Sequence, residues 1–206
     1  MDVLTKVATT DQFFVQQQFA PLVNRYRIST VGSDGKSPGE FLCQVQQKRL
    51  KIRERITFYA DEARQVPVLE LRARSIMEFR GMVDVVLPSG EAIGVLRKVF
   101  GASLLRSTWE LQDPNGAVVA TAQESSLPIA ILRRIWGLIP YVGDVPFLLP
   151  FHFDISALDG RPLGRYQRIW SIRDRYILDL TGDPARVLDR RVAMAFTVAL
   201  DALQDR

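Results

Sequence analysis

The amino-acid sequence predicts a mainly β fold with a central helix, namely a closed barrel of about twelve antiparallel strands around a buried hydrophobic C-terminal α-helix. Two observations predict the strands: short segments in which apolar and polar residues alternate, and glycine-containing turn signals between them. A third observation predicts the helix. The last segment, VLDRRVAMAFTVALDALQDR (187–206), has helical length but no polar face, so it must be enclosed on all sides.

The strand pattern is clearest in LKIRERITFY (50–59) and VLELRARS (68–75), where apolar residues occupy one face and charged residues the other. This period of two is typical of strands with one buried and one solvated face. Turn signals occur at SDGK, PSGE, DPNG and LDGR, where glycine supplies the positive φ of a tight hairpin. The candidate strands are 12–18, 24–32, 39–47, 50–59, 67–75, 78–87, 91–98, 104–112, 117–125, 147–156, 163–172 and 174–181.

A short internal repeat accompanies these turns. Two glycines, four positions apart, recur at Gly35–Gly39, Gly90–Gly94 and Gly160–Gly164, each time between two candidate strands. Such a repeat is either a general property of β-hairpins or the mark of repeated hairpins in one closed sheet. We favour the closed sheet.

The C-terminal helix is too short to cross a membrane. Its uncharged run, 192–200, contains only Thr197 as a polar residue and is about half of the roughly 20 residues that a bilayer requires. We expect Asp183 or Thr181 to cap the helix, with Pro184 in its first turn. The sequence therefore places this helix inside the barrel.

Length and composition allow one large domain or two small ones, and we expect a single domain over residues 1–206 with a short flexible N-terminus at 1–10. The chain has 206 residues, 47% of them hydrophobic and 24% charged, which excludes a disordered protein. The net charge of +4 and the pI near 9.5 favour anionic partners. Cys43 is the only cysteine, and the first residues show no signal-peptide pattern. We therefore expect a cytoplasmic protein, either free or peripheral at the inner membrane face.

Several segments resemble the Tubby C-terminal-like superfamily, which includes the phospholipid scramblases and the LURP-one-related proteins. The segments are FFVQQQF with NRYRI, GMVDVVLPSGEAIGVLRK with STWELQDPNG, and FDISALDGRPLGRYQR with DRYILDL and DRRVAMAFTVALDAL. The resemblance implies a twelve-stranded barrel around a C-terminal helix. It also implies phosphoinositide binding through basic residues on the barrel face, as in Tubby proteins. The stretch before the last helix, RDRYILDLTGDPARVLD, departs from the scramblase pattern because its acids are too scattered for a calcium site.

The residues that could support catalysis are few. His152 is the only histidine, and Cys43 lies in a strand where a small buried thiol is the usual environment. No nucleotide-binding loop and no spacing typical of metal ligands occurs. We therefore expect a protein that is not an enzyme and that uses no metal or cofactor.

The basic residues of two neighbouring strand candidates form the predicted binding site. Lys51, Arg53 and Arg55 share one face of the first strand, and Arg72 and Arg74 share one face of the next. If the strands pair, these five cations form a patch on the outer wall that suits phosphate groups. The alternative is a solvated face whose charge is partly balanced by nearby glutamates.

The segment LPIAILRRIWGLIPYVGDVPFLLP (127–150) supplies a second candidate surface. A helix at 128–139 would carry an apolar stripe on one side and Arg133 and Arg134 on the other, with Trp136 at the edge. Such a helix could lie in a lipid interface or bind a partner. Alternatively, it could plug one end of the barrel.

These observations give a ranked set of functional hypotheses. The first is a non-enzymatic module that recognises anionic phospholipid or phosphoinositide headgroups at a membrane. The second is a protein-interaction or scaffolding domain, and the third is a phospholipid scramblase. Nucleic acid ranks fourth, because few aromatic residues lie among the basic ones for base stacking. The sequence does not indicate an oligomeric state.

Overall fold

Twelve antiparallel strands close into a barrel in which every strand pairs with its neighbours in sequence and β1 pairs with β12. The computed structural model describes residues 2–18, 23–48, 55–73, 81–99, 107–125, 152–169 and 175–204. The strands are β1 Gln12–Gln18, β2 Val23–Val31, β3 Pro38–Lys48, β4 Arg55–Tyr59, β5 Pro67–Ala73, β6 Met82–Val86, β7 Ala92–Val99, β8 Thr108–Gln112, β9 Val118–Glu124, β10 His152–Ala157, β11 Pro162–Ile169 and β12 Arg175–Asp179. The predicted fold class is confirmed, and each candidate strand corresponds to one of these strands.

The C-terminal helix, α2 (Arg190–Gln204), lies inside the barrel. Every residue from Val192 to Leu200 is buried, with at most 2% of its surface exposed. Thr197, the polar residue in this run, donates its hydroxyl to the carbonyl oxygen of Met194 at 2.7 Å, so it brings no unsatisfied group into the core. Near the other end of the helix, Asp201 accepts hydrogen bonds from the hydroxyls of Tyr26 and Tyr176.

The helix begins later than the sequence analysis predicted. Asp189, immediately before α2, accepts a hydrogen bond from the N–H of Arg191 at 2.8 Å and caps the helix. The expectation that Asp183 or Thr181 caps it, with Pro184 in the first turn, is wrong. Asp183 instead accepts the backbone N–H groups of Val187 and Leu188 and so holds the loop before the helix.

The predicted pair of glycines recurs in three hairpins of the barrel. The two glycines of each pair have different roles. Gly35, Gly90 and Gly160 take positive φ in the turns, as predicted. The second glycine of each pair lies where another group approaches closely: a Cβ at Gly94 would lie 2.7 Å from Val192 Cγ2, and one at Gly164 would lie 2.1 Å from the Asp179 carbonyl oxygen. The register shifts in each of the three hairpins, so the repeat marks β-bulges in one closed sheet.

The turn end of the barrel is the end at which α2 begins. The far end is the opposite end, at which α2 finishes. The segments that link the strands at the turn end are 32–37, 60–66, 87–91, 113–117 and 158–161.

A helix, α1 (Val3–Thr9), also packs against α2 at the turn end and buries Val7. It lies in the N-terminal segment that we expected to be flexible. Apolar side chains Val3 and Leu4 pack on the same core, which gives this short helix its stability.

Candidate anion-binding faces of the barrel

The two strands that carry the predicted cationic patch pair with each other, as the prediction requires. β4 and β5 are antiparallel neighbours, and Arg55 lies directly opposite Arg72. Ile56 and Leu71 beside them point into the core, so both arginines lie on the outer wall. The structure therefore brings together two of the five predicted cations. The other three, Lys51, Arg53 and Arg74, lie outside the described residues and remain predictions.

A carboxylate lies between these two arginines. Glu70, with 10% of its side chain exposed, is 3.5 Å from Arg55 and 2.6 Å from Arg72. The Nε of Arg72 also donates to Glu70 at 2.7 Å. Glu70 is a charge-balancing glutamate of the kind that the alternative interpretation invoked. The attraction of this face for an anion is therefore reduced, because part of its positive charge is already compensated.

The predicted helix at 128–139, with Arg133, Arg134 and Trp136, lies outside the described residues, so neither of its two interpretations is addressed. Elsewhere in the chain, no helix among the described residues has the length and apolar character needed to span a bilayer.

A second basic face, which the sequence analysis did not single out, lies on three adjoining strands near the far end. Arg25 and Arg27 on β2 and Arg175 on β12 flank β1 on its two sides. Gln16 lies opposite both Arg27 and Arg175, while Gln18 lies opposite Arg25. We call these five residues the arginine–glutamine face. They point outward because their neighbours Val15, Tyr26 and Tyr176 are buried inside.

The arginines of this face differ in their partners. Arg27 forms an ion pair with Glu62 at 2.5 Å and lies 4.7 Å from the ring centre of Phe41. Arg25 and Arg175 form no ion pair with any described residue, and the Nε of each is buried without a hydrogen-bond acceptor in the described part of the chain. A buried N–H donor without an acceptor is unfavourable, so neither guanidinium is fully satisfied by the described residues.

The described surroundings of these arginines supply no carboxylate. In the described far-end half of β3, β2, β1, β12 and β11, the outward positions with described side chains are Gln44, Gln46, Val23, Arg25, Arg27, Gln16, Gln18, Arg175, Ile177, Gln167 and Ile169. β2 and β12 are two strand spacings, or roughly 10 Å, apart. Long arginine side chains at that separation can reach one shared headgroup, and the glutamine amides between them add donors.

Part of this face was visible in the sequence. The alternation in NRYRI places Arg25 and Arg27 on one side of a strand and Tyr26 on the other. The addition of Arg175 depends on the closure of the barrel, which brings β12 beside β1. No local pattern predicts that neighbour.

The two residues considered for catalysis lie on different faces of the barrel wall, Cys43 in the core and His152 outside. Cys43 is buried against Met194, with its sulfur 3.8 Å from that thioether, and burial raises the pKa of the thiol well above its usual range. His152 is half-buried on the outer wall, and burial, with Arg165 nearby, lowers its pKa. Its neighbour Asp154 binds Arg165 at 2.7 Å. Among the residues with described positions, no group of three His, Cys, Asp or Glu is placed to hold a metal ion.

Comparison with known proteins identifies the family of the chain. No curated protein matches the chain. The family model described as LOR, LURP-one-related, matches residues 42–201, which include the segment from β3 to the buried part of α2. This family belongs to the Tubby-like superfamily, in agreement with the resemblance drawn from the sequence. The chain belongs to the LURP-one-related family.

Proposed function

We propose that this protein is a non-enzymatic binding domain that recognises phosphate-bearing anionic headgroups at the cytoplasmic surface of a membrane, and that Arg25 and Arg175 contact the phosphate. The observation that carries the proposal is a pair of guanidinium groups that form no ion pair with a described residue, on a face without a described carboxylate. Guanidinium binds phosphate through two parallel hydrogen bonds, and this geometry favours arginine over a simple point charge.

The distribution of charge along the barrel supports the same orientation. At the turn end, the inter-strand turns and the loop before α2 contain eight Asp and Glu against four Lys and Arg: Asp34, Asp61, Glu62, Glu91, Asp113, Asp159, Asp183 and Asp189 against Lys36, Arg64, Arg161 and Arg186. The segments that join the strands from their other ends, which lie mostly outside the described residues, contain nine Lys and Arg against four Asp and Glu in the sequence. An anionic surface would attract the far end and repel the turn end.

Sedimentation with lipid vesicles tests the proposal. The full chain is expected to bind phosphatidylcholine vesicles that contain phosphatidylinositol 4-phosphate and to bind pure phosphatidylcholine vesicles much less, with binding weakened by salt. The double variant Arg25→Gln, Arg175→Gln should lose about 2 kcal/mol of binding free energy, on the order of thirtyfold in affinity, since each cation near an anionic leaflet contributes ~1 kcal/mol.

The matched control removes the same formal charge from the other face. Arg55→Gln, Arg72→Gln is expected to weaken binding less, because Glu70 binds both arginines and compensates part of their charge. Thermal melts of both double variants show whether the fold is retained. Equal binding of the wild type to neutral and anionic vesicles, or equal losses in the two double variants, would contradict the proposal.

A further inference from the structure

A groove opens at the turn end of the barrel, away from the arginine–glutamine face. It lies between the turns 87–91 and 113–117 and the loop that leads into α2, and its volume is about 330 Å³. Its apolar lining is formed by Ile93, Val119, Val187, Leu188 and Val192. Leu188 and Val192 are each 2% exposed and form the floor, which continues into the core.

One wall of the groove presents an exposed apolar side chain. Val187 is 43% exposed, one of three large hydrophobic residues exposed to this degree in the described part of the chain. Its position is fixed because Asp183 binds its backbone N–H at 3.0 Å. The preceding Arg186, at φ 52°, binds the carbonyl oxygens of Ala8 and Thr9. The wall is thus ordered before any partner arrives, which lowers the entropic cost of binding.

The rim of the groove carries excess negative charge. Glu91, Asp113, Asp189 and Arg191 line it, and Asp189 and Arg191 bind each other at 2.6 Å. Neither of the two remaining carboxylates forms an ion pair with a described residue, although the pKa of the Arg191 guanidinium is raised by Asp189 and also by Glu91 nearby. One oxygen of Asp113 accepts the N–H groups of Asn115 and Ala117, which fixes that carboxylate at the edge of the groove.

We propose that this groove docks a segment of a partner protein in which one apolar side chain is flanked by lysine or arginine. The apolar floor accepts the side chain, and Glu91 and Asp113 attract the neighbouring cations. A groove of about 330 Å³ that opens to solvent lies at the lower limit of the volumes typical of small-molecule sites and encloses its occupant only partly. One anchoring side chain from a larger partner matches this shape better than a small molecule that needs to be buried.

This inference does not rest on the proposed membrane function. The groove lies at the turn end and the arginine–glutamine face lies near the far end, so both could be occupied together. A protein with the two sites would hold a basic partner segment on the side away from an anionic surface.

Selection from a displayed library of random heptapeptides tests the inference. The full chain is the bait, and enriched peptides are resynthesised with a fluorophore for polarisation titrations. We expect enrichment of an aliphatic residue next to lysine or arginine. The variants Val187→Ser and Glu91→Gln should each weaken binding of such a peptide about fivefold or more, and salt should weaken binding to Glu91→Gln less than binding to the wild type.

Two exposed residues outside the groove provide matched controls. Leu158→Ser removes an apolar side chain that is 68% exposed at another turn, and Asp2→Asn removes an exposed carboxylate ahead of α1. Both variants should bind the peptide like the wild type, and all four should bind vesicles unchanged. The inference is overturned if no peptide is enriched, if the enriched peptides lack basic residues, or if the groove and control variants bind them equally.

Discussion

Arg190 shows how a single residue fixes the position of the central helix. Its guanidinium, 1% exposed, donates to the carboxylates of Asp11 and Asp183 and to three backbone carbonyl oxygens, those of Leu180, Asp183 and Leu188. A buried charge is tolerated only when its hydrogen bonds are satisfied, and here the first residue of α2 is bound to the loop before it and to the start of β1.

The pH dependence of stability should report this network. Burial alone would raise the pKa of Asp183, but hydrogen bonds from the Leu188 N–H and from Arg190 outweigh it, so its pKa lies below the usual value. Because the folded pKa is below the unfolded one, the stabilisation is fully present above about pH 4 and is lost as the pH falls further.

We therefore expect Asp183→Asn to lower the free energy of unfolding by about 3 kcal/mol at pH 7, as measured by urea denaturation. The difference between wild type and variant should shrink on acidification below about pH 4. Asp2→Asn, at an exposed carboxylate, is the control and should change neither quantity. A difference for Asp183→Asn that is unchanged between pH 7 and pH 3 would show that this carboxylate is not stabilised in its ionised form.

At the scale of elements, the central helix and the strands form one aromatic core. Phe196 meets Trp109, Phe153 and Tyr166 edge to face, with ring centres 6.0, 6.4 and 6.5 Å apart. These partners come from β8, β10 and β11, so one helical residue joins strands on one side of the barrel. Edge-to-face pairs of this kind add stability beyond the burial of apolar surface.

Replacement of Phe196 should be among the most destabilising single changes. Phe196→Ala removes a fully buried ring and is expected to cost about 3–5 kcal/mol, measured by guanidinium unfolding. Leu158→Ala, at an exposed turn, should cost less than about 0.5 kcal/mol. A loss below about 1 kcal/mol for Phe196→Ala would mean that the helix does not pack as described.

Most elements could be predicted because their causes are local. Strand alternation and turn glycines located the strands, and the apolar run located α2. The turn at 60–66 has no glycine: Arg64 takes φ 60° there, and Asp61 binds the N–H groups of Gln65 and Val66. The sequence therefore offered no glycine signal for that turn. The sequence analysis also did not predict α1, because the stability of this short helix comes from packing on α2.

At the scale of the whole molecule, the up-and-down topology converts a pattern of charges along the chain into a polarity along the barrel. Successive links alternate between the two ends, and the described links at the turn end, together with the loop before α2, carry eight Asp and Glu against four Lys and Arg. A mild net charge of +4 therefore conceals an acidic turn end. This asymmetry orients a protein near a charged surface.

Site-specific labelling should reveal that orientation. Cys43 is the only cysteine and is buried, so a thiol-reactive bimane will label an introduced surface cysteine selectively. With phosphoinositide vesicles that carry nitroxide headgroups, a label at Gln46→Cys, on the outer wall near the far end, should be quenched. A label at Leu158→Cys, at the turn end, should not be quenched. Equal quenching at both positions would exclude a preferred orientation.

By itself, the sequence determined the fold class, the twelve strands and the enclosed helix, because periodicity, turn chemistry and the lack of a polar face act over a few residues. It also placed Arg55 and Arg72 on one wall. Only the tertiary structure decided how the cations are surrounded: Glu70 lies between Arg55 and Arg72, whereas Arg175 meets β1 and shares a face with Arg25 on which the described far-end positions carry no carboxylate. Electrostatic compensation depends on distances across strands, and barrel closure sets those distances between residues far apart in the chain.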